Sequence, residues 1–424
     1  MVTSYIGLGS NLGDRRKNIA KALELIKAIP SVRIVKSSSL YESRPQGCPS
    51  GSPDFLNSAI KVKTSLSAQT LLRQLQAIEH RLGRKRPKQR FAPRGIDLDI
   101  LLYGRQKINQ PCLKIPHPCL KERTFVLKPL KEIDPGLIRS LAGEIPLISK
   151  ISRMRWFIAG VKKQNKTIGF VPTMGYLHQG HLSLIKQAKK DCDICILSIF
   201  VNPIQFGPKE DYKKYPRDLE QDRILAKSAG CDCVFFPEAS QMYQAGYLTY
   251  VNVEKIADYL CGAYRPGHFK GVATVVAKLF NIIQPDTAYF GQKDYQQALV
   301  IKRTIEDLNM PLKIKVMPIV REPDGLALSS RNVYLGAQER SDAVVLFKSL
   351  EKAKEMILEG ERESAKVISM MKSEISRKKS SRIEYLSVAD AKTLEPLKHI
   401  KKKALIVLAA YFGKTRLIDN IIVG

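Results

Sequence analysis

Two short constellations in this chain carry chemistry. One is Pro172-Thr173-Met174-Gly175-Tyr176-Leu177-His178-Gln179-Gly180-His181, which sits between an apolar run and a helix-like stretch. A strand that breaks at proline and glycine and feeds a helix leaves free N–H groups, and the positive end of the helix dipole, aimed at an anion. Two imidazoles flanking a glycine add donors there; the plain alternative is a turn with two exposed histidines. The other is Gly95-Ile96-Asp97-Leu98-Asp99-Ile100, preceded by Arg81, Arg84, Lys85, Arg86, Lys88, Arg90 and Arg94 with no acid among them. Residues two apart on a strand share a face, so Asp97 and Asp99 point together while Ile96, Leu98 and Ile100 turn to the core. Two carboxylates side by side repel unless a cation lies between them. Hard oxygen donors favour Mg²⁺, which completes its shell with substrate phosphates. A pair of such ions about 3.5–4 Å apart can clamp a polyphosphate. The alternative is an exposed strand face opposite a basic nucleic-acid loop.

Three more clusters fall where predicted strands end: Phe200–Phe206 with Gln205, Phe290–Gln297 with Lys293, and Arg321–Asn332 with Leu328-Ser329-Ser330-Arg331. Each alone reads as a solvated loop. Paired histidines, a lysine, an arginine and hydroxyls with few acids suit a polyphosphate whose α-phosphorus is attacked by an anion from another molecule. The protein then has to align two anions and stabilise the charge of the transition state.

The elements that position these groups fall into two patterns. Over the first 145 residues the order is βαββαβ. Strands are expected at residues 5–8, 32–40, 57–64 and 97–103, with helices beginning near Asp14 and at a Ser67 cap. That order suggests an α+β, ferredoxin-like sandwich with mainly antiparallel strands. Ile133-Asp134-Pro135-Gly136 reads as a turn, and a domain boundary is expected near residue 146. From there apolar runs alternate with helices, as in a doubly wound, Rossmann-like parallel sheet with ligands at the strand carboxyl ends. No G-x-G-x-x-G is present, which argues against a dinucleotide. Residues 322–424 read as a smaller α+β lid, with helices over 337–358 and 364–376 and strands over 382–387 and 404–411.

Composition sets the outer bounds. The 424 residues carry a net charge of +30 with a pI near 9.8, so anionic partners are expected: nucleotides, acidic substrates, nucleic acid or a membrane surface. Apolar runs fall short of the ~20 residues that span a bilayer, and Met1–Leu8 reads as a strand rather than a leader. Cys192-x-x-Cys195 and Cys231-x-Cys233 lie in or beside apolar runs without a matching ligand pair, so core thiols and a reducing cytoplasm are expected. Lys401-Lys402-Lys403 reads as a solvated edge.

Residues 3–145 resemble the 6-hydroxymethyl-7,8-dihydropterin pyrophosphokinase family. The resemblance rests on Gly9-Ser10-Asn11-Leu12-Gly13-Asp14, Asp54-Phe55-Leu56-Asn57, Gly83-Arg84, Pro93-Arg94-Gly95-Ile96-Asp97-Leu98-Asp99 and Pro116-His117-Pro118. It implies that Asp97 and Asp99 hold Mg²⁺ between ATP and the pterin. It also implies that Asn57 reads the pterin edge, that Phe55 and Phe125 sandwich the ring, and that Arg84, Arg94, His117 and Arg123 handle phosphates. Phe55 stands where many relatives carry Tyr, and Phe91 where Trp is frequent; neither change removes a charge.

Residues 148–424 resemble the pantothenate synthetase family of HxGH nucleotidyltransferases. The carriers are Pro172-Thr173-Met174-Gly175, His178-x-Gly180-His181, Phe200-Val201-Asn202-Pro203, Tyr215-Pro216-Arg217, Arg265-Pro266-Gly267-His268-Phe269, Lys293-Asp294-Tyr295 and Leu328-Ser329-Ser330-Arg331-Asn332. The resemblance implies that pantoate attacks ATP to form pantoyl adenylate, and that β-alanine then displaces AMP. By it, His178, His181, Lys293, Ser330 and Arg331 hold the phosphates, and Met174, Gly291, Asp294 and Ser329 complete the ATP site. Gln205 and Gln297 orient pantoate, and Asp222 touches Mg²⁺. Gln292 departs from the usual Glu. A homodimer through this half is also implied. The expectation is a bifunctional enzyme with domains 1–146, 147–321 and 322–424, acting on small molecules and using Mg²⁺ and ATP, with no membrane partner. Two other readings stand beside it: one active half with a scaffold, or a basic nucleic-acid-binding protein.

Overall fold

The computed structural model describes residues 1–43, 45, 52–84, 93–121, 123–142, 145–208, 210, 212–401 and 403–424. Lys85, Arg86, Lys88, Arg90 and Phe91 of the expected basic loop, and Lys402, lie outside the described residues. The chain divides into two compact units, Met1–Gly143 and Glu144–Gly424.

The first unit runs β1 (Val2–Ser10), α1 (Arg15–Lys27), β2 (Val32–Ser37), β3 (Tyr41–Ser43), β4 (Phe55–Thr64), α2 (Ala68–Arg81) and β5 (Asp97–Tyr103). A small hairpin, β6 (Ile108–Gln110) and β7 (Leu113–Ile115), and two helices, α3 (Thr124–Ile133) and α4 (Pro135–Ala142), follow. Local signals set the helix starts: the Asp14 carboxylate accepts from Lys17 N–H, and the Ser67 hydroxyl from Thr70 N–H. The sheet order is β2-β4-β1-β5, antiparallel throughout, with β3 also paired to β4. Ile19, Ala22 and Ile26 of α1 and Leu71, Leu75 and Ile78 of α2 pack on Ile6, Ile60, Leu98 and Ile100. The opposite face of β5 is thereby left to Asp97 and Asp99.

Two expectations need correcting here. The strand expected over 32–40 ends at Ser37, after a bulge between Ile34 and Lys36, and β3 begins only at Tyr41, beyond that run. The turn at Ile133–Gly136 is a joint between helices. Asp134 closes α3 and accepts from Leu137 N–H, while Pro135 occupies the first position of α4, where its missing N–H costs nothing.

The second unit opens with β8 (Leu147–Ile148), α5 (Ile151–Lys163), β9 (Ile168–Thr173), α6 (Gln179–Asp191), β10 (Ile194–Ile199), α7 (Leu219–Ser228) and β11 (Cys233–Phe235). Short α8 (Ala239–Met242) and α9 (Cys261–Tyr264), then α10 (His268–Ile283), β12 (Thr287–Gly291), α11 (Tyr295–Asp307) and β13 (Lys313–Met317), follow. The strands form one parallel sheet in the order β13-β12-β9-β10-β11-β8. From β9 the chain winds one way through β10 and β11; β12 and β13 lie on the other side of β9. The winding reverses between β9 and β12, and a crevice opens at their carboxyl ends. The largely buried α10 packs across this sheet with Phe269, Val272, Val276 and Phe280.

The chain ends with α12 (Ala337–Ala343), α13 (Val345–Leu358), α14 (Ser364–Ser376) and an antiparallel sheet of β14 (Ser381–Asp390), β15 (Ala404–Phe412) and β16 (Thr415–Val423). The helix expected over 337–358 is two helices that break at Val344. The last strand was not expected. It folds back on β15 through Gly413-Lys414, with Gly413 at φ 57°, and Phe412 faces Thr415. Leu71 has no exposed surface in the first core. Leu71→Ala is expected to destabilise the protein by about 2–5 kcal/mol, read as a lower urea midpoint at unchanged m-value.

Candidate active sites

In the first unit a recess of about 70 Å³ is lined by Gly7, Gly9, Phe55, Asn57, Arg94, Asp97, Asp99, His117, Arg123 and Phe125. Its floor is a glycine strip. β1 lies between β4 and β5, with Gly9 in register with both Asn57 and Asp97, and Gly7 with Asp99. Side chains on β1 would fill the space that the outer strands enclose. Asn57 donates to Ser43 Oγ (2.7 Å) and Tyr41 O (3.3 Å), which fixes its amide. Guanidinium groups lie 5.5 Å over both aromatic rings, Arg94 over Phe55 and Arg123 over Phe125.

The carboxylates are held unequally. Asp97 pairs with Arg84 (2.6 Å) and Arg94 (3.1 Å). Arg84 also pairs with Glu79, a buried acid that accepts from Leu98 N–H at 2.8 Å. Among the described residues His117 Nε2 lies 3.9 Å from Asp99, while His117 Nδ1 accepts from Cys119 N–H. Protein crowds Asp99, although 46% of its side chain stays accessible. That desolvation, with the charges of Asp97 and Glu79, pushes its carboxyl up to about 7. Asp99 adds a second carboxylate beside Asp97, and two carboxylates on one strand face fit a cation. No group of three or more His, Cys, Asp and Glu suited to a metal occurs among the described residues. Two carboxylates in an open recess suit Mg²⁺, which takes its remaining ligands from water and phosphate. Glu79 escaped the sequence reading; its signal is an acid beside Leu71, Leu75 and Ile78 on the buried side of α2.

In the second unit a cavity of about 220 Å³ lies at the crevice between β9 and β12. Met174, His178, His181, Gln205, Gly291, Lys293, Asp294, Gln297, Ser329, Ser330 and Arg331 all line it, so sequence-distant expectations converge on one place. A cleft of about 1210 Å³ shares Lys293, Asp294, Gln297, Ser329 and Arg331 with it.

The two histidines begin α6 and cap it reciprocally. His178 Nδ1 accepts from Gly180 N–H (3.2 Å), and His181 Nδ1 accepts from His178 N–H (3.3 Å), with ring centroids 4.1 Å apart. A ring nitrogen that accepts cannot carry the proton, so each neutral imidazole bears its N–H on Nε2. Burial, reinforced by Lys293, lowers His181 to about 4 and holds His178 well below the usual range; His181 also depresses His178. Both are uncharged donors at neutral pH.

Gln205 is oriented by its neighbours. The buried Asn202 donates to Gln205 Oε1 (3.1 Å) and Gly271 O (3.0 Å) and accepts from the Tyr243 hydroxyl (2.8 Å). Tyr243 therefore fixes which way Asn202 faces, and Asn202 turns Gln205 Nε2 toward the cavity, where it donates to Met174 Sδ at 3.1 Å. His268 Nδ1 lies 2.9 Å from Gln205 O, and its Nε2 lies 3.2 Å from Arg265, which pairs with Glu210. The loop reaches this position because α10 carries Gly271; a Cβ there would meet Ile204 O at 2.5 Å and Gln205 Cα at 2.6 Å.

Asp222 stands apart from the other expected residues. It does not line the cavity; it is buried beneath the Gly175–Leu177 loop, where its two oxygens accept from Tyr176 N–H (2.8 Å) and Leu177 N–H (2.7 Å). Burial pushes its carboxyl up to about 6. It holds the loop that presents the histidines. Tyr243 and Glu210 escaped the sequence reading, and Asn202 was placed in a motif without a role, because their partners Asn202, Arg265 and Gly271 lie 41 to 69 residues away.

With this geometry in view, comparisons with known proteins are specific. Residues 146–422 match the family model of pantoate-beta-alanine ligase, and residues 5–135 that of 7,8-dihydro-6-hydroxymethylpterin-pyrophosphokinase. A pantothenate synthetase from Moorella thermoacetica is 55% identical over 276 residues, 65% of this chain and 98% of the relative. One from Caldicellulosiruptor saccharolyticus is 53% identical over 277 residues, 65% and 99% of the two chains. Among solved structures, the pantothenate synthetase of Thermus thermophilus superposes with a TM-score of 0.62 at 44% identity, covering 65% of this chain and 98% of that one.

Two tests follow from the geometry. Burial makes both histidines bind protons more weakly folded than unfolded, so their stability contribution is complete above the ordinary imidazole value of 6.5 and, for His181, is lost as pH falls toward about 4. His181→Gln is expected to flatten the acid side of the stability–pH curve by up to about 3 kcal/mol, measured by urea titration. Gly271→Ala is expected to cost about 1–3 kcal/mol and to raise the KM of whatever substrate Gln205 contacts, checked by denaturation and steady-state kinetics.

Proposed function

The chain belongs to the pantoate-beta-alanine ligase family, and from that premise we propose how its residues carry two ATP-dependent reactions. It is a bifunctional enzyme. The second unit condenses pantoate with β-alanine to give pantothenate, AMP and pyrophosphate, and the first transfers pyrophosphate from ATP to 6-hydroxymethyl-7,8-dihydropterin.

In the ligase, ATP occupies the 220 Å³ cavity, with Met174, Gly291 and Asp294 along its walls. The observation that carries this reading is the convergence of two neutral Nε2 donors with Lys293, Ser329, Ser330 and Arg331 on one crevice. Gln205 and Gln297 orient pantoate. A pantoate carboxylate oxygen attacks the α-phosphorus; the new O–P bond forms as the bond to the β-phosphate bridge breaks, and pyrophosphate leaves with the electron pair. The histidines, lysine and arginine stabilise charge that moves onto the departing oxygens. The free amine of β-alanine then attacks the acyl carbon. The C–N bond forms, the C–O bond to AMP breaks, and the amine proton passes to solvent. Asp222 acts through the loop it holds.

In the kinase, Asn57 reads the pterin edge and Phe55 and Phe125 enclose the ring. The hydroxymethyl oxygen attacks the β-phosphorus of ATP, AMP leaves, and the hydroxyl proton is lost. Arg84, Arg94, His117 and Arg123 hold the phosphates. Asp97 and Asp99 are the residues that fit Mg²⁺, which when bound supplies charge neutralisation for the triphosphate. The β2-β4-β1-β5 order supports a ferredoxin-like description of this unit. The large cleft, lined both by Lys293 and Asp294 and by Lys414, Arg416 and Asp419, supports a lid role for residues 322–424. The buried thiols of Cys192, Cys195, Cys231 and Cys233 support a cytoplasmic setting.

Single substitutions separate the reactions. Asp97→Asn is expected to slow pterin pyrophosphorylation by ~10²-fold or more and leave pantothenate formation unchanged, and Lys293→Ala to do the reverse. Product chromatography on the full chain reads both; a variant that silences both activities contradicts the assignment.

A further inference from the structure

Asp419 and Asn420 stand side by side on the final strand, far in sequence from every residue assigned above. Both are 1% exposed. Asn420 Nδ2 donates to two backbone carbonyls, Gln292 O and Lys293 O, each at 3.0 Å, and its Oδ1 lies 3.4 Å from Gln292 Nε2. The other side chain grips a different loop. Asp419 takes two bonds from Arg321, at 2.6 and 2.9 Å, and Arg321 in turn donates to Gly325 O at 3.0 Å and stacks 4.6 Å over Phe347. Arg321 begins the hairpin, closed by the Arg321–Ala327 bridge and the Leu328 N–H to Val320 O bond, that leads directly into Ser329-Ser330-Arg331. One dipeptide thus holds the turn that carries Lys293 and the hairpin that carries Ser330 and Arg331. β16 is an edge strand of its sheet, which leaves one side of its backbone open toward these loops.

We propose that Asp419 and Asn420 are positioning residues for adenylate formation, setting the phosphate-holding side chains of two loops in register across the cavity. Neither touches substrate. The inference rests on the assignment of Lys293, Ser330 and Arg331 to the ATP phosphates. Asn420 is the sharper probe, since its two donated bonds end on the peptide units that aim Lys293. An aspartate of the same shape cannot donate them, and it sets a carboxylate against two carbonyl oxygens.

The test uses the full chain and two half-reactions. Pantoate-dependent exchange of labelled pyrophosphate into ATP reports adenylate formation. Release of AMP from supplied pantoyl adenylate and β-alanine reports the second step. Asn420→Asp is expected to lower the exchange kcat by ~10–100-fold, since small misplacements of aligned groups cost that much, with the second step and the KM for pantoate changed little. Asp419→Asn, which keeps the shape and weakens the Arg321 pair, is expected to lower exchange in the same selective way. Unchanged exchange in both variants overturns the proposal. So does an equal fall in both half-reactions, which marks loss of folding or a general structural role. Lys293→Met runs in parallel: if it leaves exchange intact, the phosphate assignment itself fails, whereas its loss alongside normal Asn420→Asp exchange rejects only the positioning role.

Discussion

Each histidine of the second site gives its Nδ1 lone pair to a backbone N–H, and much of the molecule is arranged to make that possible. The bonds exist only if β9 ends in a glycine turn, α6 starts at Gln179, and the loop between them stays down. Asp222 secures that loop from beneath with both oxygens. The consequence is electrostatic. Two uncharged donors face the cavity, and the positive charge beside them comes from Lys293 and Arg331 on other loops. Fixed dipoles of this kind need no reorganisation when charge moves, which is where much catalytic advantage originates.

The first unit meets the same kind of substrate by a different route. Its recess sits on a sheet face with a glycine floor, and charge is balanced by ion pairs instead of helix caps. Asp97 is shared by two arginines while Asp99 stays crowded among negative charges. One site gathers carboxylates beside arginines, and the other gathers neutral imidazoles, a lysine and an arginine. The two folds also differ in where they put the chemistry: on the open face of an antiparallel sheet, and at the crevice where a parallel sheet reverses its winding.

Much of this was legible in the sequence because the signals are local. Asp97 and Asp99 alternate with Leu98 and Ile100, and period two alone puts both carboxylates on one face. Ser67 and Asp14 announce their helices. The strand ends after residues 173 and 291 carry His178, His181 and Lys293, and a parallel sheet brings such ends together. What stayed hidden depends on distant partners. Asp222 entered only through family resemblance, and its hold on the Gly175–Leu177 loop shows only in its depth and its two backbone donors. The final strand was missed because Asp419 and Asn420, both buried, interrupt the apolar pattern between Ile418 and Ile421. Pro129 inside α3 and Pro135 at the start of α4 masked two helices as a turn.

The central claim is that one chain runs both reactions, and their products distinguish them. Both release AMP, but only the ligase frees pyrophosphate, because the kinase keeps it on the pterin. The full chain is incubated with ATP and Mg²⁺, once with pantoate and β-alanine and once with 6-hydroxymethyl-7,8-dihydropterin, and AMP and pyrophosphate are quantified. AMP in both reactions, with free pyrophosphate only in the first, is the expected result. AMP in only one reaction, or free pyrophosphate matching AMP in the pterin reaction, contradicts the account.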